Sequence, residues 1–205
     1  MLILAIDIET TGLDPETHQI LEFGAVLEDT NNLLSYQKIP KINLIIERSE
    51  LSGSVFALDM NKRIIEILKN YSVLEWQSQE RVKMQSEFNI IKEHELVGVF
   101  DIWMHESIES TQAWKKKHEY RLNVAGKNYT SFDNKFLQKL HDWKGTSRSF
   151  NRRIIDPSVL YVDWINDKEL PSLDECLKRA DIKKSVSHKA VEDAWDVIQV
   201  LRKKY

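Results

Sequence analysis

Asp7 and Glu9 stand two positions apart at the end of an apolar run, in the segment LILAIDIETTGLDP. On a strand, side chains two apart project from one face, so both carboxylates leave together while Ile6 and Ile8 turn into a core. Two acids side by side at the end of a buried strand repel each other and lose hydration. A divalent cation between them relieves both costs, and carboxylate oxygens suit hard ions such as Mg²⁺ or Mn²⁺. Taken alone, the pair reads better as a strand surfacing into solvent at a plain Thr10–Gly12 turn.

Two later segments add chemistry of the same kind. Asp133 lies in GKNYTSFDNKFL (residues 126–137), in the first turn of an expected helix that follows an expected strand. That placement puts it at the sheet rim where Asp7 and Glu9 emerge, although an acid there also answers a helix dipole with no further role. In SHKAVEDAWDVIQVL (residues 187–201), His188 precedes Asp193 by five positions at the start of an expected terminal helix. With Ser187 or His188 as the cap, His188 stays on the loop side and Asp193 projects from the second turn. Singly, these are a surface histidine and a solvated helical acid.

Together and in this order, the three segments resemble the motifs of the DnaQ-like exonucleases, the DEDDh group, whose fold is RNase H-like. DIETTGLDP resembles the first motif, the segment around Asp133 the second, and His188 with Asp193 the third. Lys189 stands where the tyrosine branch of the family would carry its Tyr. The resemblance runs from residue 4 to about residue 202, apart from the polar stretches 75–92 and 108–120. One departure is Lys127–Asn128, where many relatives carry a His–Asn pair, with one extra residue before the acid.

The resemblance implies an α/β fold, an RNase H-like mixed sheet with an opening β-meander flanked by helices. It implies a two-metal 3′–5′ exonuclease that hydrolyses terminal phosphodiester bonds of single-stranded nucleic acid, with DNA favoured, and releases 5′-mononucleotides. Asp7, Glu9, Asp133 and Asp193 would hold two divalent metal ions, Mg²⁺ or Mn²⁺, which in such sites sit roughly 3.5–4 Å apart. Asp7 would bridge the two, Asp133 would complete the cage through water, and His188 would act as general base on the attacking water. An imidazole's ordinary pKa of about 6.5 suits that role. For substrate, Leu13 would wedge against the terminal base and Phe132 would pack on the sugar or base, although both also read as core. Thr10, Thr11, Gly12 and Asn128 complete the expected substrate contacts, with the Thr11 and Gly12 backbone close to the 3′ end. Three other readings stay open: the same site acting on RNA 3′ ends or oligoribonucleotides, a non-catalytic nucleic-acid or polymerase-binding module, and a small-molecule phosphatase. The module would be marked by loss of an acidic position, and none is lost. The phosphatase fits the carboxylates but not the ordered motifs.

The elements that must position these residues follow from periodicity. Residues 2–8, 19–28 and 42–47 read as strands of a meander, and 60–70 and 93–104 as amphipathic helices. A strand at 121–126 leads into a helix from Phe132 to Leu140, and a further strand at 153–156 ends at Pro157. A capping box, Ser172 to Glu175, opens a helix over 172–180, and the last helix covers about residues 189–203. The stretches 75–92 and 108–120 lack strong periodicity. The tryptophans are expected in the core, apart from Trp114 beside Lys115–Lys117, a candidate strand contact.

Bulk properties bound the rest. The chain has 205 residues, 42% hydrophobic and 30% charged, which suits one sizeable domain over 1–205. A net charge of −3 argues against a protein that coats nucleic acid by bulk electrostatics. The one cysteine, Cys176, excludes an intrachain disulfide and a thiolate zinc site. The run Leu2–Ile6 is too short for a signal segment or a membrane span, so the default location is cytoplasmic, with no membrane partner. The sequence stops soon after the last helix, at Tyr205, which favours a free-standing nuclease over a proofreading subunit.

Overall fold

In the computed structural model, β1 (Leu2–Thr10), β2 (Ile20–Asp29) and β3 (Lys41–Ile46) form the expected antiparallel meander. The structure describes residues 1–111 and 121–205, so Trp114 and Lys115–Lys117 lie outside the described residues. β5 (Asn123–Ala125) joins β1 in parallel and β4 (Ile90–Ile91) joins β3 in parallel, in the order β4-β3-β2-β1-β5. The mixed α/β sheet expected from the sequence is therefore present. Among the described residues, no helix is long and apolar enough to cross a membrane.

Alternation along β1 sorts its side chains between two cores. Leu2, Leu4, Ile6 and Ile8 pack with Phe23 and with Leu96, Phe100 and Met104 of the Leu96–Glu109 helix. Phe100 and Trp143, both fully buried, stack with ring centroids 5.6 Å apart and close this side. Ile3 and Ala5 face the opposite way, onto Ala194, Val197 and Leu201 of the final helix, Ala190–Arg202. Asp7 and Glu9 continue this second set, so the acids emerge on the side where the final helix begins.

Several elements depart from the sequence reading. The stretch 75–92 contains a helix, Gln79–Phe88, whose Ser78 cap accepts from the Arg81 N–H and whose end turns through left-handed Asn89. Its buried residue is Arg81 rather than an apolar stripe, which hid it from periodicity. The helix over 60–70 begins earlier and breaks at Asn61 into Val55–Met60 and Lys62–Ser72. The strand expected at 153–156 shrinks to one bridge, Ile155 to Ala125, because Asp156 turns to cap the 3₁₀ turn Pro157–Leu160. Trp76 and Trp164 are exposed rather than core.

The cap of the final helix is also a correction. Lys189 occupies the cap position and makes no side-chain capping bond, while His188 takes a left-handed φ of 53°. The first helical N–H, of Ala190, instead donates to the buried carboxylate of Glu22 on β2 at 3.2 Å. At the other end, Arg202 makes a two-pronged pair with buried Glu28, at 2.7 and 2.6 Å. A carboxylate at the helix start and a cation at its end both agree with the helix dipole. Six strand residues span roughly 20 Å and twelve helical residues roughly 18 Å, so two glutamates of one strand face match the two ends of one helix.

Gly24 makes this seating possible, since a Cβ there would overlap the Val191 nitrogen and the Ala190 carbonyl carbon. Gly24 lies opposite Asp7 in the β1–β2 register. Gly24→Ala is therefore expected to push the helix start outward and cost at least about 1–3 kcal/mol. The expected readout is a lower urea midpoint. An unchanged midpoint would mean that the helix is not seated against this backbone.

Candidate active site

The β1 strand delivers Asp7 opposite Gly24 and Glu9 opposite Glu22, and its register slips between Glu9 and Thr10, where the chain leaves the sheet. Asp133 arrives from the short helix Asp133–Leu137 and is 2% exposed. Its Oδ1 accepts the Ile8 N–H at 3.1 Å, which pins the backbone between Asp7 and Glu9 to that helix. Thr130 and Ser131 give this helix no side-chain cap; the Phe132 and Asn134 N–H groups donate to the Asn128 and Tyr129 carbonyls instead.

Asp193 comes from the first turns of the final helix and is buried. Its Oδ1 accepts both the backbone N–H and the hydroxyl of Ser187, each at 3.1 Å, which folds the preceding loop back onto the site. The loop is fixed further by Lys184 on buried Asp196 at 2.7 Å and by the Val186 N–H on Asp174 at 2.7 Å. His188 thus sits exposed at the mouth while Asp193 lies below it. Glu9, His188 and Asp193 each present a ligand atom, and the three atoms lie within 4.8 Å of one another.

Electrostatics show what the cluster lacks. Burial, reinforced by Asp193 and Glu22, pushes the Glu9 carboxyl up to about 8. Burial alone drives Asp133 up to about 7, against the N–H bonds from its own backbone and from Ile8. Asp7 lies well above the usual carboxylate range through burial, then repulsion from Asp133, Glu9, Asp193 and Glu22. Burial also raises Asp193, opposed by the Ser187 bonds and by His188. Glu22 is engaged by Arg63 at 2.7 and 2.8 Å, by Asn43 and by the helix start. The remaining acids are crowded and short of positive charge. Hard oxygen donors around a desolvated space, with one imidazole at the rim, form a donor set that fits divalent cations.

Beside the acids opens a pocket of about 430 Å³, lined by Glu9, Thr10, Gly12, Leu13, Phe132 and, on the far wall, Phe56. Leu13 and Phe56 are 82% and 77% exposed, so neither is core. Phe132 is half-buried, with its ring 5.3 Å from that of Phe136. Gly12 lies flush against the His18 ring, where a side chain would collide. The Thr10 hydroxyl donates to the Gly12 carbonyl at 2.7 Å, curling the pocket floor.

Two expected substrate residues are placed differently. Thr11 is fully buried and its polar groups are taken: N–H to the Gln19 carbonyl, C=O from the Ser54 N–H, hydroxyl to the Ser52 carbonyl. It anchors the loop and does not line the pocket. Asn128 is exposed with a φ of 60°; its N–H donates to Asp156, and its side chain faces Lys127 on a separate groove. The sequence reading missed Glu22, Asn61 and Phe56. Asn61 donates to the Thr10 carbonyl at 3.1 Å and so holds the end of β1. Glu22 was hidden inside an apolar strand, and only the Glu9–Glu22 register reveals it.

Comparisons with known proteins bear on the fold and on the first motif. Residues 4–53 match the family model described as an exonuclease, a span that includes Asp7, Glu9 and the Thr10–Leu13 loop. No curated protein sequence matches the chain significantly. Exonuclease I from Methylocaldum szegediense is similar over 99% of this chain, with a TM-score of 0.56 and 15% identity. Cell-death related nuclease 4 is similar over 98%, with a TM-score of 0.58 and 12% identity. The zinc-bound complex of E. coli ExoI with single-stranded DNA is similar over 99%, with a TM-score of 0.56 and 15% identity. This chain spans 40%, 62% and 39% of those three chains respectively. The chain is thus similar in fold to these nucleases, and its residues 4–53 match the exonuclease family model.

Proposed function

We propose that the protein is a divalent-metal-dependent 3′–5′ exonuclease of the DEDDh type, acting on single-stranded DNA. The observation that carries this reading is the meeting of four carboxylates and His188 beside a pocket edged by exposed Leu13 and Phe132. The E. coli ExoI complex with single-stranded DNA makes DNA the first substrate to test.

Asp7, Glu9, Asp133 and Asp193 would hold the divalent ions. Divalent ions bound there supply Lewis-acid neutralisation of the phosphoryl group and of the attacking and leaving oxygens. Leu13 and Phe132 grip the terminal nucleotide from opposite sides, a contact tolerant of base identity and worth about 1–3 kcal/mol per stacked base. The Gly12 backbone lets the strand end approach closely. His188 accepts a proton from the water that attacks phosphorus. The bond from phosphorus to the 3′ oxygen of the preceding nucleotide breaks, and a 5′-mononucleotide leaves.

Separate roles give separate losses. With 5′-labelled single-stranded DNA and Mg²⁺ or Mn²⁺, a ladder shortening from the 3′ end is expected, absent with EDTA and with Asp7→Ala. His188→Ala is expected to retain ion binding and lose about 10²–10⁴-fold in rate. A His188→Ala protein that cuts at the wild-type rate would remove His188 from the base role. The matched RNA strand in the same assay decides between the sugars, and no cleavage of either polymer would overturn the exonuclease reading.

The raised carboxyl groups set a pH dependence. In the folded protein Glu9 and Asp133 hold protons up to about 8 and 7, above the usual range of an unfolded chain. The stability they contribute is full at low pH and is lost as pH rises through those values. In EDTA, Tm is therefore expected to fall between about pH 5 and 8, and Mg²⁺ or Mn²⁺ should restore it at pH 8. Glu9→Gln should raise Tm in EDTA at pH 8 by roughly 2–4 °C per kcal/mol of relieved repulsion. It should also weaken the response to the ion. A Tm indifferent to pH and to the ion would contradict the electrostatic account.

A further inference from the structure

The helix that the sequence concealed borders a second opening, of about 580 Å³, which none of the chemistry above uses. Its lining includes Arg48, Tyr71, Trp76, Arg81 and Lys92, against one acid, Glu47. Arg48 is paired with Glu93 at 2.6 Å and Arg81 with Glu47 at 2.8 Å, which leaves Lys92 as the unpaired cation of this lining among the described residues. Trp76 is 68% exposed, an uncommon placement for a large apolar ring. The Arg81 guanidinium lies 5.4 Å from its centroid and the Lys92 ammonium 5.6 Å.

The platform is rigid. Arg81 is nearly buried, stacks 3.9 Å over the Tyr71 ring, and donates to the Tyr71 and Leu74 carbonyls and to Glu47. These bonds fix the chain leading to Trp76 and leave Arg81 little freedom to meet a ligand. Lys92 is exposed and makes no ion pair among the described residues, so its charge is available.

The opening also adjoins a groove that borders the active-site loop. Gly12, in the wall of the nucleotide pocket, packs against His18. His18 and Arg48 line a middle groove of about 330 Å³, and Arg48 lines the Trp76 opening as well. In that middle groove Lys139 is paired with Glu16 and Arg48 with Glu93, so its charges are balanced. The middle groove thus joins the Trp76 opening through Arg48 and ends at the His18 ring that backs Gly12. An aromatic face beside cations is the chemistry that holds single-stranded nucleic acid without regard to sequence.

We propose that the Trp76 opening is a second strand-binding subsite, where a base upstream of the 3′ end stacks on Trp76 and its phosphate meets Lys92. The proposal rests on the exonuclease reading of the acidic site. It gives the protein a preference for strands long enough to reach from one subsite to the other.

The test compares a fluorescein-labelled trinucleotide with a 20-nucleotide strand, in both binding and hydrolysis, across wild type, Trp76→Ala, Trp76→Phe and Lys92→Glu. Trp76→Ala is expected to weaken 20-mer binding at least about fivefold and raise its KM alike, since a lost stack removes about 1–3 kcal/mol. Its kcat and its handling of the trinucleotide should match wild type. Trp76→Phe should recover most of the affinity, and Lys92→Glu should weaken 20-mer binding and flatten its salt dependence. Equal 20-mer affinity in Trp76→Ala and wild type, with normal hydrolysis by both, would overturn the subsite and leave the exonuclease reading standing. A wild-type protein that neither binds nor cuts either strand would overturn both.

Discussion

Repulsion among carboxylates that have been taken out of water is the constraint around which this molecule is arranged. Asp7, Glu9, Asp133 and Asp193 come from three separate parts of the chain and meet where burial disfavours their charges. A protein that needed only stability would not collect them, since each charge left unpaired in such a place costs several kcal/mol. The Arg63 guanidinium does not cancel them, because it is engaged with Glu22. The cluster thus lacks compensating positive charge, which is what the proposed metal-dependent function would supply.

Holding the cluster in place falls to the seam between β2 and the final helix. Glu22 receives the first helical N–H, Glu28 receives Arg202, and Gly24 removes the side chain that would keep the helix away. These contacts set the height of Asp193 relative to Asp7 and Glu9. They do so from outside the cluster, so the repelling groups do not have to attract one another to stay in register. Asp133 is tied in separately, through the Ile8 N–H, a backbone bond that survives any change of side chain on β1. The His188 loop has its own clamps, from Lys184 and Val186 to acids of two helices.

How much of this was legible in the sequence depended on whether a signal was local. Asp7, Glu9, Asp133 and Asp193 were legible through the order of three motifs that resemble one family, since singly each reads as a solvated or helix-start acid. The meander and the final helix were readable because their apolar residues repeat with the period of the element. Contacts between distant segments were not readable. Glu22 caps a helix 168 positions away, so no inspection of Ser187 and His188 could show that the cap lay elsewhere. The Gln79–Phe88 helix buries an arginine, which gives no apolar stripe to find. Thr11 and Asn128 had the right neighbours in sequence, yet hydrogen bonds to Ser52 and Asp156 determine where they point.

The most direct test of the account is to look for the cation where the repulsion is greatest. Crystals of the protein grown with Mn²⁺ and a mononucleotide, measured for anomalous scattering, would locate any bound ion. The account requires a peak in the space bounded by Asp7, Glu9 and Asp193, absent in Asp7→Asn. A fully occupied peak elsewhere, or none in that space at millimolar Mn²⁺, would mean that the four carboxylates are held together for some purpose other than metal-assisted phosphodiester hydrolysis.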